Sequence, residues 1–377
     1  MSAQRSKLLK VLVPLVVVIA VVCIVAIIIY RRSVAYAPPP LAFDGPSDQL
    51  EQTVIVPTLD TPMPAGKNVI WCVSFQLAWN ELRDKVVREP IRIANAEGVD
   101  TRLNDARSSK NDLDAESYFV TAGAVADGVL DKIRHDMARH FPEAPRPEID
   151  ASQKALVAYA YLAARVKFRI PFFDTEDEVS FGGVPVTAFG IAKKHEYAYD
   201  KLREQIDVLY VEPYAGDRDP EDTEFVIDPC KHSAPYQIIL AHIRPKETLT
   251  ATLEDLDSKL AGYGDSDYEH EFTPRDELLV PNIAARIEHH FSGLEGEDKA
   301  LLNKGFEGYW MALASQVIEF RLDRSGAELR SEAKAVCEPD SRYFCFNSPF
   351  LIVMKKRGAE EPFFVMWVDN AELLCKP

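Results

Sequence analysis

The chain has 377 residues, 47% hydrophobic and 27% charged, an ordinary globular composition long enough for one large domain or two smaller ones. A net charge of −16 and the lack of any basic stripe argue against nucleic acid as a partner, because neutralising phosphates takes clustered Lys and Arg. The acidity reads as solubility rather than as the imprint of a partner.

Residues 1–10 are a short flank carrying Arg5, Lys7 and Lys10. Val11 to Tyr30 contains no charge and is followed by Arg31 and Arg32, and about twenty apolar residues are what a helix needs to cross a bilayer. A cleaved signal peptide is the rival, but its apolar core is usually shorter, and the small-x-small site Ala35-Tyr36-Ala37 runs into Pro38. The expectation for 11–30 is a single membrane-spanning helix. The short basic N-terminus favours the cytoplasmic side, leaving the bulk of the chain extracytoplasmic. Ala37-Pro38-Pro39-Pro40 begins a stiff spacer, so 31–66 reads as a linker and 67–377 as the folded domain. Cys72, Cys230, Cys337, Cys345 and Cys375 lie beyond the span, odd in number and without a CxxC pair, so they form neither a disulfide framework nor a zinc site.

From Asn68 a strand-like apolar run turns into a helical pattern with Phe75, Trp79 and Leu82 on one face, and Trp71 and Trp79 read as core. Residues 91–114 are charged and poorly periodic, a connector. A strand is predicted at Ser117–Thr121, then an amphipathic helix over Val125–Phe141, with Val129, Ile133 and Met137 at four-residue steps. Gln153–Phe173 is apolar enough to be a buried strand or a helix, which periodicity alone does not separate. Strand material follows at Val179–Ile191 around Gly182-Gly183, at Gln205–Val211 and at Tyr236–Ala241, with the acidic stretch Asp217–Pro235 read as a surface loop. Leu249–Leu260 is a helix with Thr250 or Thr252 as its cap. Strands are predicted at Glu277–Val280, Ile283–His289, Ala314–Leu322, Pro349–Met354 and Pro362–Val368, a short helix at Asp298–Phe306, and the basic turn from Lys355 to Arg357 as solvated. Strands crowd the C-terminal half, which makes the fold class α+β.

No reaction is carried by these residues, and the chain reads as a non-enzyme with no cofactor. HExxH, GxSxG, the phosphate loop and GxGxxG are all missing. His289-His290 is a poor metal pair because neighbours on a strand face opposite ways. Glu269-His270-Glu271 lies in an acidic loop and reads as solvated.

Gly326–Phe350 is the stretch that needs most explanation. Ala327, Leu329, Ser331, Ala333 and Ala335 alternate with Glu328, Arg330, Glu332 and Lys334. As a strand this gives one small, smooth face and one face of alternating sign. As a helix it stacks Glu328 on Glu332 and Arg330 on Lys334, like-charge pairs that destabilise by a few tenths of a kcal/mol. Composition favours helix, while charge order favours strand.

The order of the elements and several strings resemble the serpin family. Ser315–Glu328 looks like the strand entering the reactive-loop hinge, "KAxxEVxExGTEAAAAT". Phe346-Asn347-Ser348-Pro349-Phe350 looks like the post-loop strand, and Phe363–Val368 falls at the final strand. Val211-Glu212-Pro213-Tyr214 with LTATLEDLDSKL, Lys167–Phe172 and Asn68-Val69-Ile70 are similar to other serpin landmarks in the same order. The chain departs from the pattern at Cys72-Val73, Ala160, Phe168 and Met366-Trp367, and is shorter than usual between Asn68 and Phe172, so the helix across the front of the main sheet is expected to be missing.

The resemblance implies a divergent, shortened serpin with a membrane anchor: a suicide inhibitor of a serine- or cysteine-type peptidase, its partner being that protease, and the chain a monomer. Its hinge would be Gly326, Ala327, Leu329, Ser331, Ala333 and Ala335. Counting from Gly326 as the family counts places the reactive bond at Asp340-Ser341, with Arg342 as fallback. Counting back from Phe350 gives Glu338-Pro339, where the proline would block most proteases. The alternative is a non-inhibitory scaffold of the same fold at the membrane surface, favoured if Cys337 and Cys345 bridge the loop.

Overall fold

The computed structural model describes residues 38–377 apart from 106–107, 109, 143–153, 165, 176–178, 192–199, 214–222, 265–269 and 325–341. The span at 11–30 lies outside the described residues. Among those described, no helix is long and apolar enough to cross a membrane.

In chain order the strands are β1 (Phe43–Pro46), β2 (Thr53–Ile55), β3 (Asn68–Cys72), β4 (Tyr118–Ala124), β5 (Ala155–Ala164), β6 (Phe173–Asp174), β7 (Val179–Phe181), β8 (Val184–Val186), β9 (Ala188–Ile191), β10 (Asp207–Val211), β11 (Phe225–Asp228), β12 (Tyr236–His242), β13 (Glu277–Pro281), β14 (Ile283–His290), β15 (Trp310–Leu322), β16 (Tyr343–Cys345), β17 (Phe350–Lys356) and β18 (Pro362–Val368). The α-helices are α1 (Val73–Glu81), α2 (Val99–Asp105), α3 (Val129–His140), α4 (Asp200–Arg203) and α5 (Leu249–Ala261). They build a five-stranded sheet in the order β1-β14-β15-β5-β4, a seven-stranded sheet β10-β11-β12-β17-β18-β3-β2, a four-stranded sheet β16-β13-β9-β6 and the hairpin β7-β8. The α+β class follows directly from this mixture.

Period two decides which side chains meet. On β5, Leu156, Ala158, Ala160 and Leu162 enter the main core, as do Ala314, Ile318, Phe320 and Leu322 of β15. The five- and seven-stranded sheets close on each other there, with Phe320 stacked on Phe364 at 4.6 Å between centroids. Inside the seven-stranded sheet β18 (PFFVMWV) is buried on both faces, so it is apolar throughout rather than alternating. Trp71 and Trp79 are core, as the sequence suggests.

Several local expectations change. Part of the stretch read as linker is built into the sheets: β1 runs parallel to β14 and β2 parallel to β3. The connector at 91–114 holds α2 and buries Ile91 and Leu103 completely. Its Asn104 accepts from the Trp79 indole and the Ile91 amide. The loop read over Asp217–Pro235 contains β11, every residue of which is buried between β10 and β12. Helix α5 is capped by Thr248, whose hydroxyl accepts from Ala251, while Thr252 accepts from Lys246. Asp298–Phe306 is a run of turns, not a helix. Within the stretch 153–173, Ala155–Ala164 is strand β5.

The basic turn after β17 is also not simply solvated. The Arg357 guanidinium donates to Asp228 (3.1 Å), to the Cys230 and Ser233 carbonyls and to the Ser233 hydroxyl. Asp228 is 1% exposed, and burial holds its carboxyl above the usual range despite the Cys230 amide and Arg357.

Candidate functional site: the central strand pair and the roots of the loop

β15 is the long central strand of the five-stranded sheet. It pairs antiparallel with β14 from Ile283↔Leu322 to His290↔Ser315, and parallel with β5 from Trp310↔Ala155 to Phe320↔Ala164. A parallel pair inside a sheet has one geometric property of note. A segment turning back after Leu322 runs antiparallel to β15 and to β5 at once, so it can hydrogen-bond to both.

Beneath this seam, facing the main core, lies a small polar cluster. Gln316 of β15 is 1% exposed and donates through Nε2 to the Ser74 hydroxyl at 2.8 Å and to the Cys72 carbonyl at 3.4 Å. Its Oε1, like the Ser315 hydroxyl, meets no partner among the described residues. The Cys72 thiol lies 3.2 Å from the same Ser74 hydroxyl, and burial pushes it up to about 11, which keeps it an unreactive thiol. The Gln316 amide thereby ties β15 to the start of α1.

The outer face of the seam is covered, contrary to the expectation of a bare front. α3 lays Val129, Ile133 and Met137 over Val157, Tyr159 and Tyr161 of β5 and Leu313 and Val317 of β15, a second hydrophobic cluster. The four-residue stepping seen in the sequence is what fits this helix to a flat sheet. The Phe141 ring, just beyond the helix, meets Tyr161 edge-on at 4.8 Å. Burial pushes the Tyr159 phenol well above its ordinary range. The chain between β4 and β5 thus places a helix on this face.

The stretch 325–341, outside the described residues, is flanked on both sides by anchored arginines. At its start, Arg324 is 3% exposed and meets Asp174 of β6 at 2.5 Å. At its end, the Arg342 guanidinium grips Asp276 with two bonds, Nε to Oδ1 at 3.0 Å and Nη2 to Oδ2 at 2.6 Å, and also reaches the Glu271 carbonyl. It lies 5.5 Å from the centre of the Phe344 ring. Asp276 is 3% exposed, so this is a shielded, bidentate pair. β16 then starts at Tyr343, parallel to β13. The hinge positions Gly326, Ala327, Leu329, Ser331, Ala333 and Ala335 and the bond Asp340-Ser341 lie outside the described residues, as does Cys337. Arg342 is described, and it is engaged with Asp276 rather than presented outward. Cys345 is buried at the end of β16.

The histidines singled out in the sequence meet protein partners. His289 is half-buried against the Ser47 hydroxyl at 2.7 Å, whereas His290 faces Glu295 at 3.2 Å. His270 reaches the Val208 and Gly264 carbonyls, both at 2.8 Å. Among the described residues no group of three His, Cys, Asp or Glu side chains is placed to hold a metal. Sequence reading missed the two arginine anchors and the Gln316–Ser74 contact, since no spacing rule links residues 66, 150 or 242 positions apart.

No family model and no curated protein matches this chain. Solved serpins do resemble it. Mouse protein-Z dependent protease inhibitor is 10% identical with a TM-score of 0.48, the match covering 80% of this chain and 91% of that one. Serpin48 of the insect Tenebrio molitor is 11% identical with a TM-score of 0.44, covering 80% and 92%. Thyroxine-binding globulin, solved with thyroxine, is 12% identical with a TM-score of 0.44, covering 81% and 93%.

Proposed function

We propose that the chain is a membrane-tethered, serpin-like inhibitor of a serine- or cysteine-type peptidase, acting by cleavage of the loop between Arg324 and Arg342 and insertion of its first half between β15 and β5. The observation that carries this reading is the parallel β15–β5 pair, because the loop leaves directly from the end of β15. Each ladder bond gained on insertion contributes a net ~0.5–1.5 kcal/mol. Ala327, Leu329, Ser331, Ala333 and Ala335 would face the core and the alternating charges the outer side. Leu329 is larger than the alanine usual there, which costs ~1–3 kcal/mol of overpacking, less than the ladder supplies. Asp340-Ser341 is the proposed reactive bond. The engagement of Arg342 with Asp276 disfavours it as the residue offered to a trypsin-like pocket.

One observation favours the second reading, a non-inhibitory scaffold. β5 and β15 share the apolar cluster under α3, so parting them breaks a second core as well as a ladder. The test is to incubate the domain from Pro38 onward with a panel of serine and cysteine proteases. An SDS-stable complex, with a large rise in thermal midpoint after loop cleavage, is expected. Cleavage that leaves the midpoint unchanged sinks the inhibitory reading and leaves the scaffold.

A further inference from the structure

The chain enters the folded domain at an informative place. The Arg321 guanidinium, one residue before the end of β15, donates to the Pro39 carbonyl at 3.1 Å. The Cys375 thiol lies 3.7 Å from the Pro40 carbonyl, and the Ala42 amide donates to the Ala284 carbonyl at 2.7 Å. β1 then pairs with β14 in the register Phe43↔Ala285 to Pro46↔Glu288, so the chain runs away from this end once it has been zipped on. Ile283, where β14 starts, is opposite Leu322, where β15 ends and the loop leaves. The loop's other root, Arg342, is held by Asp276, just ahead of β13 in the neighbouring sheet. Arg324 binds Asp174 of β6 in that same four-stranded sheet. The entry of the chain and both roots of the loop thus share one pole of the domain.

Only eight residues, 31–38, separate Tyr30 from Pro39. Fully extended they reach at most about 29 Å, and the proline among them only stiffens that spacer. Because Pro39 is bonded to Arg321, the reach is not lengthened by peeling off residues without breaking contacts at the sheet edge.

We propose that the pole bearing the loop is the pole turned toward the bilayer, so the loop works in the layer of solvent immediately above the membrane. Its partner is then a protein whose active groove lies in that layer, a membrane-anchored or membrane-bound one rather than one sampling bulk solvent. The opposite pole, where Ala300 pairs with Trp310 at the start of β15, points away. β15 has thirteen residues, so the two poles are separated by about 40 Å at the rise of a strand. This inference rests on residues 11–30 being an anchor, and the experiment separates the two.

Full-length protein, with Cys23 and Cys337 replaced by serine, is reconstituted into phosphatidylcholine vesicles carrying a headgroup-labelled acceptor lipid. A donor dye is attached at Arg275→Cys, exposed beside Asp276 at the loop pole, or at Lys304→Cys, exposed at the far pole. Tyr343→Cys and Leu302→Cys, 47% and 57% exposed, serve as second probes of the same poles should a first variant not fold. Several-fold stronger transfer from the loop-pole dyes is expected, and a twenty-residue Gly/Ser insertion between Ala37 and Pro38 should bring the poles toward equality. Protein that floats with the vesicles but transfers equally from both poles, or more strongly from the far one, overturns the inference. Protein that does not float with the vesicles removes the anchor on which it stands, and with it the inference.

Discussion

His289 and His290 are adjacent and respond to pH in opposite directions. Burial, and secondarily the charge of its neighbour, holds His289 down to about 4, so the fold favours its neutral form. That preference contributes stability above the ordinary histidine value, and the contribution is lost as pH falls from about 6.5 toward 4. His290 is raised, chiefly by its bond to Glu295, so its contribution is complete below about 6.5 and is lost as pH rises through its folded value. His289→Gln keeps a hydrogen-bonding partner for Ser47 without the proton. Urea melts across pH 4–7 should show a flatter acid limb for the variant, and an unchanged limb would show that His289 does not titrate in this way. Arg357 gives a second test. Asp228 keeps its Cys230 and Gln237 donors when the arginine is removed, so Arg357→Ala is expected to cost about 1–3 kcal/mol near neutral pH. Because burial already raises the Asp228 carboxyl, the deficit should shrink as acid protonates it; denaturant midpoints at neutral and acid pH measure this.

At the scale of elements, α3 is the piece whose role is most open to experiment. Ile133 is 1% exposed beneath it, among the outer side chains of β5 and β15. Ile133→Ala should cost about 2–5 kcal/mol in the uncleaved protein. If the seam opens on loop cleavage, the same substitution should also hasten the rise in thermal midpoint, since a looser helix yields sooner. A variant that is destabilised yet no faster would mean that α3 does not limit opening. The helix was legible from its stepping because it is amphipathic on a flat sheet. β11 was not, because its four residues are flanked by acidic and turn-forming sequence and its burial comes from strands on either side. β1 was hidden for a related reason: FDGP has no apolar alternation, and only the edge of β14 makes it a strand.

For the whole molecule, the sequence by itself determined the α+β class, the long apolar strands β15, β17 and β18, helices α1, α3 and α5, the twenty-residue apolar stretch 11–30, and the alternation of small and charged residues at 327–335. These depend on periodicity and composition, which are local and therefore readable one residue after another. Tertiary structure alone decided that β15 and β5 lie side by side and parallel, that α3 covers them, and that Arg324 and Arg342 are held by Asp174 and Asp276. It alone brought the segment that begins at Pro38 to the pole where β15 ends. The physical reason is that strand pairing and ion pairing join residues far apart in the chain, with the partner chosen by the closure of the whole core rather than by any pattern within a single segment.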